Sequence, residues 1–511
     1  MKRKNIFLLC LLLGMAAGCG GENKVQPTTP TPYIVTATPT EKPVETPTPV
    51  PTQADEATKA QNAAYDRLAG YINLTKNYNL EPYANPEVVL DTIKKAEALI
   101  EKKGTAKEYE DMLEELKGSL KKLNDGSGMV SASLLPSFEE YPDPFLFADG
   151  SEVKIEEDWE KRLKEISDLY QYYVYGVYRD GEGETLKYDA KADRASITVE
   201  REGKKGSFNI TVSVPDETKV EKPEKGWPFI IALGWFEQTQ YANDRGYAVI
   251  TFNPTDLATD NSLRKGAFYN IYPYGDSWKE QTGALLAWGW GFSKVIDALE
   301  QGMGEIYGID PTVSIITGVS RYGKATAVAG AFDRRIKISV PTCSGAGGMA
   351  MFRYVSEGDV YDLSSVGGES RHKFGQNEPL SSLQSGAEGH WFNDNFKKIT
   401  KADKLPVDQN LLSAMYAGQG RYMFITSSYL YEDWTNPPAM WETYKEAKKI
   451  FTALGEEENV VFNIHPTGHM VTDEDVVRFL DFSDHYVYGK EAETDFDELT
   501  TCLFADGPIT E

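Results

Sequence analysis

Ser320 stands at a sharp turn between an apolar segment and a helical segment, within the sequence GVSRYG of residues 318–323. Residues 313–316 before the turn, of which three are β-branched and apolar, predict a strand, and residues 325–332 after it predict a helix. Such a turn exposes a hydroxyl close to the free backbone N–H groups of a helix N-terminus. Because those donors can stabilise an oxyanion, the turn predicts a serine nucleophile. An ordinary turn with a surface serine is the alternative, since the glycine spacing is one residue longer than in the usual nucleophile elbow.

A serine nucleophile needs a general base, and histidine is the usual base near neutral pH. The chain contains five histidines: His372, His390, His465, His469 and His485. In hydrolases with this type of turn the histidine follows the last strands, and the chain order is serine, acid, histidine. His469 lies on a loop just after the apolar segment 460–464, so we predict that it is the base.

The other four histidines are assigned structural roles or none. His465 ends the apolar segment, where its ring would be buried, and His390 precedes Trp391 and Phe392 as a packing residue. The residues around His372 and His485 indicate no role for either histidine.

The acid of a catalytic triad belongs on the loop after the strand at residues 422–426, by the same chain order. Glu432 and Asp433 stand there, just before Trp434. Adjacent loop carboxylates are usually solvated, but this position favours one of the two as the acid. We take Glu432 over Asp433 by a narrow margin.

Alternating strands and helices must position these side chains. Segments with strand character are residues 208–214, 228–233, 248–252, 314–317, 338–341, 422–426 and 460–464. Residues 285–299 and 439–454 have helical character. This alternation predicts an α/β fold, with a mostly parallel central sheet covered by helices on both faces. We place this domain at residues 129–490 and an acidic C-terminal tail at residues 491–511.

A small helical module is predicted before the α/β domain, at residues 54–124. Apolar residues recur there at helical spacing, and Gly104-Thr105 interrupts the pattern. The module resembles the helical spacers of cell-surface glycan enzymes, and we favour a spacer over a binding module. Residues 20–53 before it are rich in proline and threonine and predict an extended linker.

The first 19 residues have the pattern of an export signal. Residues 2–4 are basic, residues 6–15 form a short apolar stretch, and small residues lead to Cys19. The sequence AAGC at residues 16–19 resembles a bacterial lipoprotein box, which would make Cys19 the lipidated N-terminus. Plain cleavage and secretion is the alternative. We expect a protein anchored by lipid at a bacterial cell surface, with no other contact with the membrane.

Charge and cysteine content exclude several classes of function. A formal net charge of −25 opposes long-range attraction to nucleic acid or to an anionic membrane. Once Cys10 and Cys19 are assigned to the signal, only Cys343 and Cys502 remain, so no disulfide framework or cysteine metal site is implied. The sequence leaves open whether Cys343 and Cys502 form a disulfide. We expect no metal, no cofactor and a monomer.

Several separate motifs resemble the glucuronoyl esterases, carbohydrate esterase family 15. The sequence GVSRYGK of residues 318–324 is similar to the family signature Gly-Cys-Ser-Arg-Asn-Gly-Lys. Further matches are TGALLAWGWG at residues 282–291, AGAFDRRI at 329–336, SGAGG at 344–348 and HWF at 390–392. The similarity covers about residues 130–490 and implies an α/β-hydrolase fold, a three-layer sandwich.

The resemblance implies a metal-independent serine esterase that cleaves the ester between 4-O-methyl-glucuronate on xylan and a lignin alcohol. Ser320 would attack the uronate carbonyl and His469 would transfer the proton. Arg321 would donate to the oxyanion through its backbone N–H and its guanidinium.

The resemblance also implies a set of sugar-binding residues. Lys324 matches a family lysine that binds sugar hydroxyls, Trp434 matches a sugar-contacting tryptophan, and Glu388 matches a sugar-binding glutamate. Gln384 is a weaker candidate, because its spacing differs from that of the family glutamine.

One departure from the family pattern concerns the triad acid. Many members carry the triad glutamate 23 residues after the serine, and Cys343 occupies that position here. A thiol cannot orient an imidazolium as a carboxylate does. Some bacterial relatives supply the acid after the following strand instead, which again points to Glu432 or Asp433.

Two other functions remain open. The chain could hydrolyse a different sugar ester, such as an acetyl or feruloyl ester. It could also be a non-catalytic surface protein that binds carbohydrate and has lost its acid at position 343.

Overall fold

The computed structural model describes residues 53–78, 80, 85–120, 122–123, 129–132, 135–154, 156–499 and 501–509. The predicted export signal, the lipidation site at Cys19 and the linker up to residue 52 lie outside the described residues.

Fifteen α-helices are present in the described part of the chain. The first eight are α1 Gln53–Lys76, α2 Glu87–Glu101, α3 Ala106–Leu120, α4 Glu156–Tyr170, α5 Thr239–Asp244, α6 Pro254–Leu257, α7 Ala267–Ile271 and α8 Ala284–Ala298. The other seven are α9 Gly304–Tyr307, α10 Arg321–Phe332, α11 Leu380–Gln384, α12 Gln409–Ala414, α13 Pro437–Ala453, α14 Asp473–Tyr488 and α15 Phe496–Leu499. Among the described residues, no helix is both long enough and apolar enough to cross a membrane.

A nine-stranded sheet forms the centre of the fold, with strand order β1-β2-β3-β5-β4-β6-β7-β10-β11. Its strands are β1 Thr185–Ala190, β2 Arg194–Arg201, β3 Lys204–Ser213, β4 Trp227–Leu233, β5 Ala248–Phe252, β6 Ile309–Val319, β7 Ile338–Thr342, β10 Tyr422–Ser428 and β11 Val460–His465. Strands β8 Val360–Tyr361 and β9 His372–Lys373 form a separate hairpin. Neighbours from β5 to β11 run parallel, whereas β1, β2, β3 and β5 pair antiparallel. The mostly parallel sheet predicted from the sequence is therefore confirmed.

Alternate side chains of the buried strands contribute to two apolar clusters, one on each face of the sheet. On β4, Phe229, Ile231 and Leu233 belong to the larger cluster, which includes residues of α8, α12 and α13. Ile230 and Ala232 belong to the second cluster, which includes residues of α14. Because a parallel sheet buries both faces, helices must cover both, and the result is the expected three-layer α/β-hydrolase sandwich.

Helices α1, α2 and α3 lie where the helical module was predicted, and the break at Gly104-Thr105 falls between α2 and α3. The Gln61 side chain donates to the Gly104 carbonyl at 2.7 Å. Lys117 Nζ lies 3.5 Å from Asp149 Oδ2, so an ion pair connects α3 to the chain just before α4.

The chain after residue 490 folds back onto the domain. The Phe504 ring lies 5.1 Å from the Tyr361 ring between centroids, and the Ile509 N–H donates to the Val360 carbonyl at 2.7 Å. The acidic tail is thus in contact with the β8 region.

Candidate active site

The backbone at Ser320 has the strained conformation of a nucleophile elbow. Its φ is +63° and its ψ is −129°, a combination that a residue with a side chain rarely adopts. The Ser320 N–H donates to the Thr342 carbonyl at 3.0 Å, which ties the turn to the end of β7. Glycine is needed at position 323, because a Cβ there would lie 2.5 Å from the Thr342 carbonyl oxygen. Ser320 thus ends β6 and begins α10 with no intervening loop.

His469 pairs with Glu432. Its Nδ1 lies 3.1 Å from Oε1 and 3.0 Å from Oε2 of the carboxylate. Glu432 is only 3% exposed and also accepts a hydrogen bond from the Thr435 hydroxyl at 2.9 Å, whereas 43% of the His469 side chain is exposed. A buried carboxylate therefore orients an accessible imidazole, and an Nδ1–H donated to Glu432 leaves Nε2 free to accept a proton.

Asp433, the alternative acid, is placed elsewhere. Its Oδ1 lies 3.1 Å from His372 Nε2, and its Oδ2 accepts the Gly375 N–H at 2.8 Å. The chain turns between Glu432 and Thr435, so the two neighbouring carboxylates meet different histidines.

Cys343, at the usual glutamate position, lies beside the pair of His469 and Glu432. Its Sγ and ligand atoms of the other two residues all lie within 4.8 Å of one another. Burial, and then the negative charge of Glu432, raises the pKa of the Cys343 thiol well above its ordinary value. Cys343 and Cys502 are both free and buried, which answers the pairing question left open by the sequence.

Cys343 also lies between the Ser320 turn and His469 in the chain of contacts. Ser320 is hydrogen-bonded to Thr342, the residue before Cys343, and the Cys343 N–H donates to the Thr426 carbonyl at 2.9 Å. The serine turn thus contacts Thr342 at the carboxyl end of β7, and the next residue, Cys343, lies beside the His469–Glu432 pair.

Arg321 is held by an acid that sequence reasoning missed. Its Nε lies 2.8 Å from Asp260 Oδ2, in an ion pair rather than a well-aligned hydrogen bond, and its guanidinium carbon lies 5.3 Å from the centre of the Tyr322 ring. Asp260 also receives hydrogen bonds at Oδ1 from His390 Nε2 at 2.9 Å and from Trp391 Nε1 at 2.8 Å. His390 therefore has a polar partner in addition to its predicted packing role.

Lys324 is buried in an ion pair. Its Nζ lies 2.6 Å from Glu378 Oε2 and 2.7 Å from the Ala346 carbonyl oxygen. Gly345, at φ +60°, makes room for this pair, because a Cβ there would lie 2.8 Å from Glu378 Oε2. Sequence reasoning missed Glu378, which stands 54 residues from Lys324 in an irregular segment with no periodic pattern to mark it.

Glu388 has an unpaired oxygen close to this ion pair. Its Oε2 is buried without a hydrogen-bond partner among the described residues. Burial, and then the charge of Glu378, raises the pKa of Glu388, against an opposing effect of Lys324. A buried carboxylate oxygen without a hydrogen bond costs free energy, so a ligand that donates a hydrogen bond to it would bind favourably.

Trp434 and Gln384 occupy different environments. Trp434 is 41% exposed, and its carbonyl accepts the Glu378 N–H at 2.8 Å, which places it next to the Lys324–Glu378 pair. The Gln384 amide instead donates to the Phe396 and Ile399 carbonyls, at 2.7 Å each. Gln384 thus stabilises its own loop and lines a separate cavity of about 400 Å³.

The remaining histidines have structural contacts. His465 is buried at the end of β11, where its Nδ1 accepts the Thr467 N–H at 3.2 Å and its Nε2 lies 3.5 Å from Asp475. His485 Nδ1 lies 3.0 Å from the Lys490 carbonyl oxygen.

Comparison with known proteins shows the family to which this fold belongs. The family model described as "Glucuronyl esterase, fungi" matches residues 197–455, which is half of the chain. A glucuronoyl esterase of carbohydrate esterase family 15 from Caldicellulosiruptor kristjansonii has a similar structure, with a TM-score of 0.66 and 39% identity. That similarity covers 73% of this chain and 96% of the other.

Curated relatives extend the comparison. A "Multidomain esterase" from Ruminococcus flavefaciens is 43% identical over 73% of this chain, and the match spans 49% of that relative. "4-O-methyl-glucuronoyl methylesterase 1" from Phanerochaete chrysosporium is 33% identical over 63% of this chain and 64% of that relative. The chain thus spans between about half and two thirds of the length of these two relatives. With the family model and the fold in agreement, the chain belongs to the glucuronoyl esterases, carbohydrate esterase family 15.

Proposed function

We propose that this protein is a serine esterase that hydrolyses esters of 4-O-methyl-D-glucuronate on glucuronoxylan, the type of bond that links xylan to lignin alcohols. The observation that carries the proposal is the contact between His469 and the buried Glu432 next to the Ser320 turn. The Phanerochaete relative is named for its activity as a 4-O-methyl-glucuronoyl methylesterase, which supports the choice of a uronate ester.

The proposed reaction proceeds in two steps through an acyl-enzyme. Ser320 Oγ attacks the uronate carbonyl carbon while His469 Nε2 takes the hydroxyl proton, and Glu432 stabilises the imidazolium that forms. The tetrahedral oxyanion forms at the N-terminus of α10, near the backbone N–H and the cationic side chain of Arg321. His469 then protonates the departing alcohol, and water hydrolyses the acyl-enzyme by the same proton transfers.

The buried polar cluster supports a sugar acid as the acyl group. The unpaired oxygen of Glu388 is suited to accept a hydrogen bond from a ring hydroxyl, and the exposed Trp434 offers an apolar face or an indole N–H. Lys324 is already neutralised by Glu378, so we infer that it donates to a sugar hydroxyl rather than attracting a free carboxylate. This arrangement suits a neutral ester better than an anionic uronate.

The test measures hydrolysis of benzyl and methyl D-glucuronate esters, with acetylated xylan and a methyl ferulate ester for comparison. We expect a strong preference for the glucuronate esters, and loss of activity in Ser320→Ala. Preference for the acetyl or feruloyl ester would instead support a different carbohydrate esterase. Sugar binding without turnover by the wild-type protein would indicate a non-catalytic binding protein.

We also propose that the protein is exported and anchored through a lipid on Cys19, with α1–α3 acting as a spacer. The basic, apolar and small-residue order of residues 2–19 supports export. Labelled palmitate should be incorporated into the wild-type protein in a bacterial host and not into Cys19→Ala. Equal binding of Ser320→Ala to insoluble xylan, with and without residues 54–124, would support a spacer over a binding module.

A further inference from the structure

Arg321 carries the positive charge nearest to the nucleophile in sequence, and its side chain is 42% exposed. A long, exposed side chain of this kind samples many rotamers unless something holds it. An oxyanion donor contributes most when it is already in place before the charge develops. The contacts of Arg321 with other residues therefore determine how well it can stabilise an oxyanion.

We propose that Asp260 is the positioning residue that holds the Arg321 guanidinium at the oxyanion site and couples it to the turn Gly389–Trp391, which follows the sugar-binding candidate Glu388. The proposal rests on the function proposed above, and it concerns a residue outside the expected triad and sugar-binding set. Asp260 lies on the irregular segment after α6, 61 residues before Arg321.

The geometry of the ion pair suits a positioning role. Asp260 Oδ2 engages Nε, the innermost nitrogen of the guanidinium, at 2.8 Å. The charge attraction at Nε keeps the guanidinium close to Asp260 and does not use the terminal Nη groups, which an oxyanion can then approach. The Tyr322 ring, 5.3 Å from the guanidinium carbon, adds a second restraint.

Asp260 is itself held by two side chains from a single turn. His390 and Trp391 both donate to Oδ1, and they belong to the short helical turn Gly389–Trp391 that follows Glu388. The Trp391 ring also lies 5.8 Å from Lys324 Nζ. One carboxylate thus connects the oxyanion arginine with the turn that directly follows the sugar-binding candidate Glu388.

The charge state of Asp260 agrees with this role. Burial acts to raise its pKa, but the hydrogen bonds from His390 and Trp391 and the charge of Arg321 outweigh burial and hold the pKa below its ordinary value. Asp260 is therefore ionised at neutral pH. An ordinary surface ion pair contributes little to stability, because both side chains are mobile. Here Asp260 is held in place by the buried side chains of His390 and Trp391.

A double-mutant cycle on the full-length protein tests the proposal with benzyl D-glucuronate as substrate. The variants are Asp260→Asn, Arg321→Ala and the double variant. Since loss of a whole oxyanion donor costs about 10²–10³ in kcat, we expect misplacement of Arg321 by Asp260→Asn to lower kcat about 10- to 100-fold. In the Arg321→Ala background the same change should lower kcat less than about threefold, because its target is gone. KM should change less than kcat in Asp260→Asn.

Controls separate positioning from folding. Asp260→Glu retains the charge and should recover part of kcat. Asp484→Asn is the matched control, because Asp484 accepts from Arg245 in a similar ion pair that is formed by α14, away from Ser320. It should leave kcat unchanged. If Asp260→Asn does not fold, Asp260→Ser replaces it in the cycle, with thermal unfolding measured for every variant.

The outcomes distinguish this proposal from the proposed function. Activity that survives in Ser320→Ala would overturn the serine esterase mechanism itself. Ser320-dependent activity, with effects of Asp260→Asn and Arg321→Ala that multiply in the double variant, would overturn only the positioning role. An unchanged kcat in Asp260→Asn would do the same.

Discussion

His469 Nδ1 lies 3.0 Å from Glu432 Oε2, and the two residues follow neighbouring parallel strands, β11 and β10. Ser428 and His465 are register partners at the ends of these strands, so the loops that follow them begin side by side. Cys343, at the position where the resemblance to the family leads one to expect a glutamate, follows β7 instead. The proposed acid Glu432 is thus one strand further along the sheet, since β7 and β10 are neighbours.

The first prediction concerns the choice between the two adjacent carboxylates. Glu432→Ala should lower kcat on benzyl D-glucuronate on the order of 10³–10⁴-fold, because an unoriented imidazole presents the wrong tautomer to the serine. Asp433→Asn is the matched control and should keep kcat near the wild-type value, since Asp433 pairs with His372. Steady-state kinetics of both variants decide the assignment, and the reverse order of effects would contradict it.

The second prediction transfers the acid to β7. Cys343 Sγ lies within 4.8 Å of ligand atoms of both Glu432 and His469, so a carboxylate at position 343 can approach the same imidazole. In the Glu432→Ala background, Cys343→Glu should therefore restore kcat on the order of tenfold. Cys343→Ala in the same background supplies no carboxylate and should restore nothing. Equal recovery of kcat by Cys343→Glu and Cys343→Ala would show that removal of the thiol, and not the new carboxylate, restores activity.

The third prediction concerns the buried Lys324–Glu378 pair, in which each side chain is 4% exposed. Lys324→Met should lower the free energy of unfolding by about 3–5 kcal/mol, because it leaves the Glu378 carboxylate buried without its cation. Adding Glu378→Gln should recover part of that loss. Chemical denaturation measures these values, with the exposed pair of Lys164 and Asp168 as a control. A loss in Lys324→Met no larger than in Lys164→Met would contradict the prediction.

The fourth prediction concerns acid stability through Asp484. Burial acts to raise its pKa, but hydrogen bonds from Lys490, Arg245 and Tyr247 outweigh burial and lower it. A carboxyl whose pKa is lowered in the folded state stabilises the fold above its ordinary pKa of about 3.9, and this contribution disappears as the pH falls through the folded value.

Asp484→Asn tests this contribution by thermal unfolding at several pH values. The melting temperature of the wild type should exceed that of the variant at about pH 6–7, and the difference should shrink as the pH approaches about 3. A difference that stays constant over this range would show that the ionisation of Asp484 does not stabilise the fold.

Local patterns were sufficient to predict the sheet that carries the site. The strand at Ala248–Phe252 was predicted with its observed bounds, and the other predicted strands differ from the observed ones mostly at their ends. Strands β1 and β2 were missed because neither contains an apolar run: β1 lies at the sheet edge and is mostly polar and partly exposed, and in β2 only alternate residues are apolar and buried. Apolar runs mark strands that are buried on both faces, and an edge strand lacks that signal.

The amino-acid order alone determined the serine turn and the position of a histidine after the last strand, because both depend on contacts between residues close in the chain. It did not decide between Glu432 and Asp433, since each carboxylate contacts a different distant segment, Glu432 at His469 and Asp433 at Gly375. Asp260 and Glu378 emerged only from the folded structure. Their partners, Arg321 and Lys324, stand 61 and 54 residues away, and an ion pair over that distance depends on how the loops pack and not on any local pattern.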